Sequence, residues 1–328
     1  MNQAREELIR HADAGTLSAG ALALGLRLAG ATPDAGAWRR FLERLLLIAG
    51  ALLIAVGVIF FIAYNWQAMG RFFKFAMLEA LVLLPALYAW VAGRDSVKGR
   101  AALLFAVLIE GALLALLGQT YQTGADNYEL FVAWALLALP WVVAGSWAPL
   151  WALWWTLVNL ALALYLSLEL DPWRILFFGR LRVSGFAFLN LAGLLAFEWA
   201  YAAWAPLRTR WLARYCVLLV LAPTAVAAVL YVMGERADDY AIGLALYCAA
   251  IGGGAWFYQR RCRDLFPLAF GVLSLIVVLT CWLGRNLLRF DSDVFGGFAL
   301  LALLVIGASA GATWWLRELN RKWRKEPA

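Results

Sequence analysis

The sequence predicts an all-α fold: a polytopic helical membrane bundle of about ten transmembrane helices, preceded by a short helical region. Three observations predict it. Sixty-five per cent of the 328 residues are hydrophobic and 15% are charged, whereas a soluble domain carries about 25% charged residues to keep its surface wet. The apolar residues fall in stretches of about 20, the length that crosses a hydrocarbon core of roughly 30 Å, separated by charges and turn residues. Within each stretch apolarity is continuous and does not alternate. That excludes a membrane barrel and leaves helices, which satisfy their backbone groups within the segment.

Residues 1–42 read as a cytoplasmic N-terminal helical region. The pattern predicts a helix over Gln3 to Ala14, a break at Gly15, then Ser18 as N-cap of a second helix over Ala19 to Ala29. Leu22, Leu26 and Ala29 share one face, and "ATPDAG" ends the pair. A segment this small buries no core of its own, so it packs against the inner membrane face, itself or another protein. His11, the single histidine, is a surface or packing residue, because one histidine without partners makes neither a metal site nor a triad. With no short apolar core followed by a cleavage site, the first span acts as an uncleaved anchor.

The ten spans run at about 43–63, 72–92, 101–120, 128–146, 148–168, 184–204, 213–233, 240–259, 265–284 and 294–316, a transmembrane domain over 43–316. Ten spans also admit a division into two inverted five-span halves, but the halves share no convincing similarity. Residues 317–328 form a basic cytoplasmic tail that anchors on lipid headgroups. Of the 18 tryptophans, Trp66, Trp90, Trp147, Trp151, Trp173, Trp204 and Trp211 lie near span ends, where an indole keeps its ring in lipid and its N–H in water.

Basic residues set the orientation. With a cytoplasmic N-terminus, twenty of the 28 Lys and Arg residues fall inside. They comprise six up to Arg44, then Arg94, Lys98 and Arg100, Arg208, Arg210 and Arg214, Arg260, Arg261 and Arg263, and five from Arg317 to Lys325. Both termini are then cytoplasmic, in a multi-pass protein of the bacterial inner membrane. The net charge of +7 is a topology signal and not a nucleic-acid footprint; the implied partners are membrane lipids, including anionic inner-leaflet headgroups, and a membrane-protein partner. A reporter active only in the cytoplasm is expected to work after Arg100, after Arg210 and at the C-terminus, and one active only outside near Asn127 and Asp239. Inverted signals would reject this orientation.

Cys216, Cys248, Cys262 and Cys281 lie in or beside spans with no close pairing and read as small apolar fillers. Neither a disulfide framework, nor a metal site, nor a cofactor is expected. Gly252 to Gly254 lacks the strand, the lysine and the helix start of a phosphate loop, and reads as a site of close helix packing.

The polar residues gather at the outer ends of spans one to four. Asn65, Arg71, Lys74, Gln119, Tyr121, Gln122 and Asp126 form an outer vestibule there, with Glu79 and Glu110 beneath it as carboxylates within spans. Ionisable residues in spans are costly and face the bundle interior or a cavity. The nine residues therefore constitute either a pocket that receives a polar group such as a sugar, headgroup or peptide, or a set of helix caps and buried structural hydrogen bonds. Glu198, nearer the inner face, reaches toward interfacial water or Arg208. Asn159 and Asn190 join helices by interhelical hydrogen bonds.

"VGVIFFIAYNWQAMGRFFKF", Val56 to Phe75, resembles the start of the membrane region in the bacterial domain-of-unknown-function family DUF2157. In that family the first span ends in an Asn-Trp pair followed by an Arg and a Lys that open the second; Asn65, Trp66, Arg71 and Lys74 occupy those positions. "LLGQTYQTGAD", Leu116 to Asp126, is similar to the family's second marker. The resemblance covers the N-terminal half and implies a membrane region behind a small cytoplasmic helical segment, with no activity or ligand to carry over. No nucleophile with a base, metal-ligand set or nucleotide loop is present, so the chain does not read as an enzyme. Two classes remain: a non-catalytic membrane component that organises or senses a partner, and a small-molecule or lipid-linked transporter using an outward-facing polar vestibule.

Overall fold

The computed structural model describes residues 2–32, 34–65, 67–93, 96–122, 124, 126–166, 180–204, 207, 209–234, 237–290 and 294–325. Trp66, Arg94, Trp173 and Arg208, to which the sequence assigns roles or sides, lie outside these residues. Every regular element among the described residues is a helix, and ten helices are long and apolar enough to cross a membrane. The fold is therefore a polytopic helical bundle. It divides into two compact units, residues 1–121 and 122–328, with three spans in the first and seven in the second.

The first unit contains α1 (Asn2–Asp13), α2 (Ala19–Leu28), α3 (Ala35–Tyr64), α4 (Arg71–Ala92) and α5 (Val97–Tyr121). Gly15 takes φ +70°, which lets the chain turn, and the Ser18 hydroxyl accepts from the Ala21 N–H at 3.2 Å to start α2. Asp34 starts α3 in the same way, its Oδ1 accepting from Ala37 N–H at 2.6 Å. Residues 35–42 are thus the first two turns of α3, continuous with the apolar part of that helix. Between this cap and the apolar run no proline interrupts the chain, Arg39 and Glu43 pair at 2.9 Å one turn apart, and arginine and glutamate are good helix formers, so the helix propagates through them. α5 packs against both α3 and α4 around Ala55, Ile62, Leu78, Ile109 and Leu116. Gly99, whose missing side chain leaves room beside Ala89 and Ala92, allows the close approach of α4 and α5.

The second unit contains α6 (Asn127–Gly145), α7 (Ala148–Leu166), α8 (Arg180–Ala203), α9 (Trp211–Met233), α10 (Ala237–Arg260), α11 (Leu265–Phe290) and α12 (Val294–Lys325). α9 is its centre, packed against α8, α10 and α11. α6 and α7 form a hairpin in which the Trp154 indole donates to the Ala135 carbonyl at 2.9 Å. α12 packs on α11 and continues as helix to Lys325. The basic segment that begins at Arg317 is helical as far as Lys325, because its Arg, Glu and Lys residues are good helix formers.

Asn159 and Asn190 join α7 to α8 as predicted. Asn190 Nδ2 donates to Asn159 Oδ1 at 2.6 Å, Asn190 Oδ1 accepts from the Trp155 indole at 2.9 Å, and Asn159 Nδ2 donates to the Trp155 carbonyl at 2.9 Å. Asn190 is fully buried and the other two nearly so. Gly193 lies under the Trp155 ring, where a Cβ has no room. At the opposite end of α9, Arg285 donates from Nη1 to the Val232 carbonyl at 2.6 Å, closing the helix terminus beside Gly234 at φ +75°.

Candidate functional site

Seven of the nine predicted pocket residues, Asn65 to Tyr121, lie in the first unit, and Gln122 and Asp126 lie in the second. Asn65 is the C-cap of α3, its Nδ2 donating to the Phe61 carbonyl at 2.9 Å. Arg71 is exposed, its guanidinium 5.1 Å from the centre of the Phe72 ring. Lys74 is 7% exposed and shares a stripe of α4 with Leu78, Ala86 and Ala89. Glu79, expected inside the bundle, is exposed. It stands one residue beyond Leu78, about 100° further round the helix, so the stripe that buries Leu78 turns Glu79 away.

Glu110 is half-buried on α5 beside the fully buried Ile109. Gln119 rims a groove of about 390 Å³ between α3, α4 and α5, otherwise lined by apolar side chains including Ile62, Leu78 and Leu116. Neither Arg71, Lys74, Glu79 nor Glu110 is among its lining residues. Tyr121 is exposed, its ring 6.3 Å from that of Phe75. In the second unit, Gln122 takes a left-handed conformation at φ 46° and Asp126 is the N-cap of α6, its N–H donating to Glu129 Oε2 at 3.2 Å. Asn65 and Asp126 thus serve as helix caps.

The second unit assembles a denser cluster that the sequence reading missed. Glu198, near the end of α8, accepts from the Tyr258 hydroxyl at 3.3 Å and lies 3.8 Å from both the Cys262 sulfur and Arg210 Nη1. Its cationic neighbour is Arg210, and the predicted Arg208 lies outside the described residues. Asp264, 5% exposed, accepts from Arg214 Nε at 2.9 Å and Nη2 at 3.0 Å, and from the Phe266 N–H at 3.0 Å. Arg210 Nη1 is 4.0 Å from Asp264 Oδ2, and its guanidinium lies 4.7 Å over the Tyr201 ring. A bidentate arginine–carboxylate pair with a third donor fixes the loop between α10 and α11 against the start of α9.

The charges shape one another. Burial pulls the Arg210 guanidinium down, but the Cys262 sulfur and the Glu198 carboxylate offset it, leaving the net shift upward. Burial, then the Glu198 charge, pushes the Cys262 thiol above its ordinary value, so at neutral pH it stays a thiol and reacts slowly. Cys262 is thus part of a polar network and no plain apolar filler. Two signals were legible: Arg210 and Arg214 stand four apart on one helix face, and "RRCRD" sets Asp264 directly after a basic turn. Among the described residues no group of three or more His, Cys, Asp or Glu side chains is placed to hold a metal ion.

Beside the cluster lies an apolar groove of about 270 Å³ between α8, α9, α10 and α11, bordered also by Trp315 of α12. Tyr258 lines it. So do Gly253 and Gly254, and no atom stands within 4 Å of a Cβ built at Gly252, Gly253 or Gly254. The expectation of close helix packing at the three glycines is therefore corrected: they open space. Fold and polar network together define a polytopic helical membrane protein with two unlike units. Residues 9–151 match the model of a family described as predicted membrane protein (DUF2157), in agreement with the resemblance carried by Asn65, Arg71, Lys74 and the run to Asp126. Neither a curated protein nor a solved structure matches the chain.

Proposed function

We propose that the protein is a non-catalytic component of the bacterial inner membrane, with both termini cytoplasmic, that organises or senses a membrane-protein partner through its terminal regions. The observation that carries this reading is the α1–α2 hairpin. Leu22 and Leu26 are half-buried, while Leu24 is 59% and Leu28 81% exposed and α2 has no buried residue. Two leucines one turn apart on an uncovered face suit docking of a partner helix or the membrane surface better than they suit water. Arg317, Arg321 and Lys322, toward the end of α12, favour anionic inner-leaflet headgroups. The transporter alternative draws support from Lys74 and Glu110, but the groove at Gln119 is apolar and does not extend to either. A photo-crosslinking amino acid at Leu28 is expected to give one discrete protein adduct in intact cells, abolished by Leu24→Glu with membrane accumulation unchanged. Lipid adducts alone would overturn the reading.

A further inference from the structure

Three consecutive glycines in the interior of a helix cost about 1 kcal/mol each relative to alanine. At Gly252 to Gly254 no close packing within the chain compensates for that. The space left at Gly253 and Gly254 belongs to the groove lined also by Leu191 of α8, Val220 of α9 and Val272 of α11. Among its described lining residues only Tyr258 and Trp315 carry side-chain polar atoms. The groove follows α10 from Leu246 to Tyr258. At 1.5 Å per residue that is about 18 Å, close to the thickness of one leaflet of a roughly 30 Å hydrocarbon core. Phe188 and Leu191 at its lip are 61% and 45% exposed, so it opens sideways toward hydrocarbon.

The polar end has the opposite character. Tyr258 passes from the groove to Glu198, and Glu198 to Arg210. Arg210 Nη1 and Thr209 Oγ1 are buried with no hydrogen-bond partner, and Arg210 caps the N-terminus of the 23-residue α9 without a side-chain hydrogen bond to it. Glu198 at 3.8 Å and Asp264 at 4.0 Å pair with this guanidinium in charge but stand beyond hydrogen-bond distance of Nη1, so at the helix N-terminus that N–H and the adjacent hydroxyl can still donate to and accept from a phosphate. Arg210, Arg214, Arg260, Arg261 and Arg263 in this region outnumber Glu198 and Asp264 by three. A groove of one-leaflet length ending in surplus positive charge suits an anionic amphipath.

We propose that the second unit binds one anionic phospholipid, an acyl chain lying along Gly253 and Gly254 and the phosphate at the start of α9 against Arg210 and Thr209. The site is independent of the partner proposed for the terminal hairpin. Native mass spectrometry of the full chain, titrated with phosphatidylglycerol or phosphatidylcholine, tests it. The expected result is a single saturable phosphatidylglycerol equivalent, held at least tenfold more tightly than phosphatidylcholine. A Cβ at Gly253 or Gly254 meets nothing within 4 Å, so Gly253→Leu and Gly254→Leu put an apolar side chain into the groove, and each is expected to lower that affinity at least tenfold with the thermal midpoint retained. Arg210→Gln is expected to abolish the preference for phosphatidylglycerol, and Arg210→Lys to restore part of it. Equal retention of both lipids, unsaturable uptake of several equivalents, or undiminished binding by both well-folded leucine variants would overturn the proposal. Displacement of the lipid by inorganic phosphate alone would overturn it too, by making the acyl groove irrelevant.

Discussion

Gly193→Ala is expected to destabilise the second unit by about 1–3 kcal/mol, the cost of overpacking a closed core. The added Cβ falls within the Trp155 ring, so the indole must move. Its N–H then leaves Asn190 Oδ1, which it holds at 2.9 Å. The loss propagates because Asn190 also donates to Asn159 and to the Phe186 carbonyl, and a buried polar group left unpaired costs about as much again. Asn190→Ala removes the same centre without overpacking but leaves the Trp155 N–H and Asn159 Oδ1 without their partner, and is expected to cost about 1–3 kcal/mol as well. Thermal midpoints in detergent, with Gly271→Ala as the comparison, check both. Gly271 meets only Ile251 at ordinary contact distance. Equal midpoints for Gly193→Ala and Gly271→Ala would refute the argument.

The second large effect is expected at Asp264. Asp264→Ala strips Arg214 of both hydrogen bonds and removes the acceptor of the Phe266 N–H. Removing one partner of a fully buried pair costs more than the pair contributes. Arg214 is 41% exposed, so water recovers part of that cost and about 1.5–3 kcal/mol remains. Asp264→Asn keeps one acceptor for Phe266 and one for Arg214, and is expected to lose less than half as much. Limited proteolysis in the loop between α10 and α11 should accelerate in the alanine variant first. If both variants match the parent in midpoint and in cleavage rate, the pair does not hold that loop.

The division between what was legible and what was not follows from the range of the forces. Transfer of apolar side chains into hydrocarbon depends on local composition, so the sequence by itself determined ten spans, their approximate ends and the all-helical class. Capping is equally local: Ser18 and Asp34 start their helices through hydrogen bonds to residues three positions on. The interhelical role of Asn159 and Asn190 could also be read, because an amide in lipid must find a partner. Its geometry could not, since Trp155 enters it from 35 residues away and needs Gly193 beneath its ring.

Only tertiary structure decided which face of a helix is covered. Span hydropathy is nearly the same all round, so nothing local distinguishes Lys74, which is buried, from Glu79, which is exposed. The same holds for Gly252 to Gly254, where a missing side chain signals either close contact or open space. The choice depends on neighbours distant in sequence. Glu198 meets Tyr258, Cys262 and Arg210 because α9 is packed between α8 and α10, and helix packing in a membrane has no hydrophobic driving force that sequence pattern could reveal.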